Sequence, residues 1–315
     1  MYFIITIDVE EDNWGYFENK NTSLLHIDKL IKLQEIFDRY RIKPTYLLTY
    51  PVAIDRNAIS ILRKIVEDKR CEIGTHLHPF NNPPFEEEKN KYNSMLCNLL
   101  KDLQHKKIER LHDMIYKNFG VEPVSFRSGR WACDENVLEN ISKLNYIVDS
   151  SVTPYMDWSS IHGPDYSGIS PDVYKILLHS NSNSCIMEIP ATIGYLQGDF
   201  DVRNKILRAF SNRGLRKLKI AGILDRMKII NKIWLSPEVT EWEKMVGLAK
   251  TMEKEGYEVL NMFFHSPSLM AGCTPYTKTE KEVDEFILRI EKFLEFAVLN
   301  NLQSSTLSEY ARMKI

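Results

Sequence analysis

Cysteine is scarce in this chain of 315 residues: Cys71, Cys97, Cys133, Cys185 and Cys273 are odd in number, widely spaced and without a CxxC pair. That pattern excludes a disulfide framework and a structural zinc knot. Long apolar runs are missing too, and nothing approaches the ~20 consecutive apolar residues of a membrane span. The opening stretch MYFIITIDVEED is a short apolar run followed by acids. It has neither the basic start nor the longer apolar core of a secretory leader. The expectation is a cytoplasmic protein with reduced thiols. Overall charge is nearly balanced at −2, so nucleic acid is not an expected partner. Repeats and low-complexity tracts are absent. What is present is an ordinary globular composition, 43% hydrophobic and 27% charged, in a chain long enough for a large core.

The charge is unevenly spread. The stretch 203–232 holds ten basic residues against one acid, Asp225, which leaves the remainder an acidic body. Its apolar residues are interleaved with the charges, as in interfacial helices. It reads as a helical insertion at about 197–236 within a single domain, 1–315. It suits peripheral contact with an anionic membrane face or with a pyrophosphate, and equally a solvated lid whose charges balance the acidic body.

Elsewhere short apolar β-branched runs alternate with amphipathic stretches. Strands are predicted at 2–8, 44–50, 71–78, 124–129, 146–152, 184–192 and 257–266. Helices are predicted at 24–42, at 57–69, from about 86 to 119, and at 134–144, 236–256 and 278–300, with a short strand or turn and a closing helix at the end. Strict alternation is the signature of βα units around a parallel sheet, either a (β/α) barrel or a doubly wound sheet. In both, working residues sit at the C-terminal ends of strands.

Those ends carry the chemistry. The first strand ends in Asp8, Glu10, Glu11 and Asp12, the third in His76 and His78, the fourth in Arg127 and Arg130, the fifth in Asp149, and the late strand in His265 and Ser266. The chain has eight histidines, so two of them one residue apart are notable. On a strand, residues i and i+2 face the same way, which lets His76 project with His78 and Asp8 with Glu10. Two imidazoles and a carboxylate with open positions form a catalytic site for a divalent transition metal. The metal ligands expected are His76, His78 and Glu10, with Asp8 an alternative carboxylate. Asp8 and His265 then remain as base and acid. Taken singly, each has a bland reading: an acid cluster at a helix N-terminus, arginines balancing acids, a core histidine. The aromatics Trp14, Tyr16 and Phe17 could stack on a sugar or simply pack on the rim.

The ordered segments TIDVEED, EIGTHLHPF, FRSGRW, DSSVTP and FFHSPSL resemble the motifs of the polysaccharide deacetylases, the NodB-homology or carbohydrate esterase 4 group. The resemblance spans about 2–192 and 257–310. It implies a distorted (β/α) barrel of about seven parallel strands, a divalent metal, most often zinc, and hydrolysis of an acetyl group from a sugar. By position it makes Asp8 the base, Arg127 the residue that tethers it, His265 the acid, His76 a metal ligand, and Arg130 the place where a backbone N–H holds the oxyanion. The family's usual metal aspartate falls on Val9 and its second metal histidine on Phe80, so Glu10 and His78 are taken as substitutes. An aspartate that orients the acid is either Asp149 or Asp157. The substrate expected is an N-acetylated sugar, nucleotide- or lipid-linked, in surface-polysaccharide or lipopolysaccharide biosynthesis. The alternatives are an allantoinase-like or deformylase-type C–N hydrolase and a non-catalytic carbohydrate-binding barrel.

Overall fold

The structure, a computed structural model, describes residues 1–12, 23–178, 185–211 and 230–315. In chain order its strands and α-helices are β1 (Tyr2–Val9), α1 (Lys29–Tyr40), β2 (Thr45–Leu48), α2 (Tyr50–Ile54), α3 (Arg56–Glu67), β3 (Glu72–Leu77), α4 (Lys101–Phe119), β4 (Ser125–Ser128), α5 (Glu135–Lys143), β5 (Val148–Asp149), β6 (Tyr174–Leu177), β7 (Cys185–Glu188), β8 (Ile193–Tyr195), α6 (Phe200–Ser211), β9 (Lys232–Trp234), α7 (Trp242–Glu255), β10 (Val259–His265), α8 (Glu280–Leu299), β11 (Gln303–Ser304) and α9 (Leu307–Lys314). The main sheet runs β10-β1-β2-β3-β4-β5-β7-β6, with β11 added beside the start of β1. It is parallel except for β6, which lies antiparallel on β7.

The sheet curls into a distorted barrel, and its closure is irregular. No ladder joins β10 to β7. Thr192, just after β7, instead donates its N–H to Asn261 O, and its hydroxyl accepts the Asn261 N–H. Leu235 adds a second stitch, donating to Thr192 O and accepting from the Phe263 N–H. These bonds satisfy backbone groups at the gap, where an open edge would leave them exposed.

The period-two alternation of β1 explains both layers. Phe3, Ile5, Ile7 and Val9 face outward into the large core shared with the helices, where Phe3 meets Phe293 of α8. Each such buried aromatic stabilises the fold by about 1.5–3 kcal/mol. The inward column reads Ile4, Thr6, Asp8, Glu10. Ile4 packs with Leu307, Tyr310 and Ala311 of α9, so the C-terminal helix plugs the barrel floor. Thr6 sits at mid-height, bonded to Asn261, and the two carboxylates open to the rim. The same strand therefore runs from apolar to charged along one face.

Several boundaries differ from the sequence reading. The helix expected from about 86 starts only at Lys101. Residues 79–100 follow an irregular path through Pro83 and Pro84, which cannot supply helix N–H donors. It is fastened by the buried Lys107, whose Nζ donates to Pro79 O, Asn82 O and Pro84 O. The helix expected from 236 starts at Trp242. Strand β6 was not expected at all; it is a half-exposed edge with no strong apolar run. The insertion is not wholly helical either: β9 lies within it and pairs antiparallel with β8, which ends just before it. Most of its basic residues lie at 212–229, outside the described residues. Among the described residues no helix is long and apolar enough to cross a membrane.

Candidate active site

The strand registers bring the distant motifs together. Asp8 on β1 is paired with His265 on β10, and His76 on β3 with Arg127 on β4. Asp8, Glu10, His76, His78 and Arg127 are all buried. They converge at the C-terminal rim, where the polar ends of the inward columns meet.

Glu10, His76 and His78 form a group that could hold a metal ion. Glu10 Oε2 lies 3.4 Å from His76 Nε2 and 3.1 Å from His78 Nε2, and the two Nε2 atoms are 3.0 Å apart. His76 Nδ1 faces Arg127 O at 3.2 Å. A carbonyl only accepts, so Nδ1 carries a proton there and Nε2 is the nitrogen turned toward Glu10 and His78. Such a carbonyl contact behind a histidine is what fixes a ligating imidazole. His78 is oriented by packing instead. Its ring lies on Gly129, where an added Cβ would sit 2.4 Å from Nδ1, and that nitrogen has no hydrogen-bond partner among the described residues. Ligand atoms around a tetrahedral zinc are about 3.3–3.4 Å apart when bonds are ~2.0–2.1 Å, so this set of two imidazoles and a carboxylate fits. Burial raises the Glu10 carboxyl, but hydrogen bonds with His76 and His78 outweigh it and hold the group well below its ordinary value.

Asp8 is held differently. Its Oδ1 accepts from Arg127 Nη1 at 2.8 Å, and its Oδ2 stands 3.8 Å from both His76 Nε2 and His265 Nε2. Burial raises its carboxyl, yet Arg127, then His76 and His265, bring it below the ordinary value. Arg127 is itself held by three further bonds, with Nε on Ser150 O and Nη2 on Thr6 Oγ1 and Ser150 Oγ. Glu10 lies closer than Asp8 to His76, at 3.4 Å against 3.8 Å.

His265 Nδ1 contacts Glu238 Oε2 at 2.9 Å, and the His265 N–H also donates to Glu238. Burial lowers the imidazole, but Glu238 outweighs it, and its pKa is pushed up to about 9. The expectation that Asp149 or Asp157 orients this histidine is therefore corrected. Asp149 faces Glu188 across the β5–β7 register and accepts from Ser151 Oγ; Asp157 is exposed and accepts from the Ser159 N–H. Glu238 lies in SPEVTEW, which periodicity reads as a helix start. No local signal singles it out, because its role depends on the turn before α7 reaching the end of β10.

Arg130 follows Gly129 in a tight turn with left-handed backbone (φ 59°). Its guanidinium donates to Ser94 Oγ. The turn borders a cleft of about 390 Å³ that contains Asp8, Glu10, His76, His78 and His265. Aromatic residues that the sequence did not single out wall it: Trp131, Trp158, Trp234, Phe263 and Tyr276. Tyr276 stacks on the His265 ring. Trp14, Tyr16 and Phe17 lie outside the described residues.

No protein-family model matches this sequence, and no curated protein does. Solved structures share its fold. A candidate polysaccharide deacetylase from Mycobacterium smegmatis is 14% identical, with a TM-score of 0.59 over 99% of this chain and 89% of that one. A candidate glycoside hydrolase/deacetylase from Parabacteroides distasonis is 12% identical, with a TM-score of 0.62 over 99% and 71%. A 4-alpha-glucanotransferase from Thermococcus litoralis is 13% identical, with a TM-score of 0.57 over 99% and 40%. The fold is thus the distorted barrel of the deacetylases, as the motif resemblance implied.

Proposed function

We propose that this chain is a metal-dependent hydrolase that removes the acetyl group from an N-acetylated sugar. The observation that carries the reading is the meeting of three metal-type donors with two separately oriented proton carriers in one cleft. Glu10, His76 and His78 would hold a divalent ion, for which zinc suits the donor set. When bound, such an ion supplies Lewis acidity and a water of lowered pKa. Asp8, kept ionised by Arg127, takes a proton from the attacking water. His265, kept protonated at neutral pH by Glu238, gives its proton to the leaving nitrogen. The Arg130 backbone N–H, in the turn after Gly129, serves the oxyanion. A C–O bond forms and the C–N bond breaks, yielding acetate and a free amine. The aromatic walls suit the faces of a sugar ring.

The finer part of the reading is a nucleotide- or lipid-linked sugar of surface-polysaccharide biosynthesis, met in the cytoplasm or at the inner membrane face. It rests on the basic stretch 203–232. Because one fold serves several reactions, a deformylase-type C–N hydrolase is the second reading, and the released acid distinguishes the two.

The test is metal content by elemental analysis of wild type, His76→Ala and His78→Ala, beside acid release from N-acetylated nucleotide sugars and lipid-linked sugars. About one ion per chain, lost in both variants, with acetate produced, supports the proposal. A folded wild type that takes up no zinc, cobalt or manganese would sink it. Formate in place of acetate would move the protein to the second reading.

A further inference from the structure

A second buried cluster lies outside the residues that the reaction uses. His26, in the turn before α1, is fully buried between the ends of β1 and β10. Its Nδ1 meets Asp12 Oδ1 at 2.5 Å, and its Nε2 meets Ser266 Oγ at 2.7 Å. Asp12 Oδ2 is occupied as well, accepting from Ser23 Oγ at 2.8 Å and the Leu25 N–H at 2.7 Å. Atom for atom this is the order of a hydrolytic triad. Ser266 is 0% exposed, however, and does not line the cleft. A hydroxyl closed off from substrate is no nucleophile.

Its position suggests another task. Asp12 comes two residues after Glu10, and Ser266 comes directly after His265. The paired register of β1 and β10 ends at Asp8 and His265, and beyond that point His26 bridges the two segments that follow the strands. We propose that His26 is a positioning residue. Through Asp12 and Ser266 it fixes the separation between the carboxylate that would ligate a metal and the imidazole that would protonate the leaving group. This inference rests on the function proposed above.

Imidazole substitutes separate the two arms. His26→Asn keeps an amide near Nδ1 and so retains the Asp12 arm. His26→Gln places one near Nε2 and retains the Ser266 arm. Ser266→Ala cuts the Ser266 arm by removing one hydroxyl. The expected result is a kcat lower by about 10–100-fold in all three, the range for groups that orient ligands, with KM changed less than about twofold. Combining His26→Asn with Ser266→Ala should cost no more than either alone, since both cut one link. Competition with a chromogenic chelator should show weaker zinc binding in His26→Gln and wild-type binding in Ser266→Ala. Variants that melt at lower temperature yet keep wild-type kcat and zinc affinity would overturn the proposal, leaving His26 a packing residue. Should wild type release no acid from any substrate, the proposed function fails by itself. The tie is then decided by the ¹H–¹⁵N imidazole signals of His265 in the metal-free protein: shifted by His26→Asn, it stands; unmoved, it is wrong.

Discussion

Arg127 and Asp8, 119 residues apart in the chain, meet at 2.8 Å with side chains 3% exposed or less. Removing one partner of a buried pair leaves an uncompensated charge and costs about 3–5 kcal/mol. Arg127→Leu should lose that much stability in urea unfolding. Asp8→Asn keeps the shape and should fold, with kcat reduced by about 10²–10⁴-fold as for loss of a general base. The folded carboxyl lies below its ordinary value. The pair therefore stabilises the fold above about pH 4, and that contribution is lost as pH falls through the lowered value. An Arg127→Leu protein as stable as wild type would refute the pairing.

Glu238 should set the alkaline limit of activity. With His265 pushed up to about 9, its acid form is lost as pH rises through that value, and kcat should fall there. Glu238→Gln removes the charge, so the limb should move toward the ordinary imidazole value of ~6.5. The raised value also stabilises the fold: the contribution is complete below ~6.5 and disappears as pH climbs through about 9. A pH profile of kcat for the two proteins checks this; an unmoved limb assigns the proton to another group.

Gly129 is the floor under His78. A methyl there would meet Nδ1, Cε1 and Cγ at 2.4–2.6 Å, and the ring must swing away from Glu10. Gly129→Ala should keep the far-ultraviolet dichroism of wild type but bind zinc at least tenfold more weakly by chelator competition, in line with other displaced ligand supports. Undiminished affinity would mean that His78 does not need this seat.

Lys107 is a buried ammonium that organises residues 79–87, with Glu87 Oε1 at 3.0 Å beside its three carbonyl acceptors. Lys107→Met fills similar space without the donors, so stability should drop by about 3 kcal/mol. Phe80 and Asn81 of that loop line the cleft, and KM should rise along with the loss. A thermal melt and a KM measurement together decide it. A fully stable Lys107→Met with unchanged KM would rule out the clamp.

Much of this architecture was legible in one dimension. The run YFIITID announces a buried strand through its β-branched residues, and its alternation already separates Ile5 and Ile7 from Thr6 and Asp8. The i, i+2 spacing of His76 and His78 places both imidazoles on one side of β3 whatever the fold around them. The breaks in legibility have physical causes. The stretch 86–100 reads as helix because its apolar residues happen to fall at helical spacing, while Lys107, which pins the loop before it, acts through a contact 25 residues away. Glu238 and the Trp131, Trp158 and Trp234 wall have no local pattern, since each is defined by which neighbour approaches it.

The sequence by itself determined the alternation of strands and helices, the inward column of β1 and the pairing of the two histidines, because these depend on backbone periods of two and about 3.6 residues. Only the tertiary structure decided that Glu238 rather than Asp149 or Asp157 holds His265, that Asp8 belongs to Arg127 while Glu10 faces the imidazoles, and that Asp12, His26 and Ser266 form one buried chain. Those choices turn on ångström-scale separations between segments up to 240 residues apart. The register of a closing barrel fixes such separations, and no local rule encodes them.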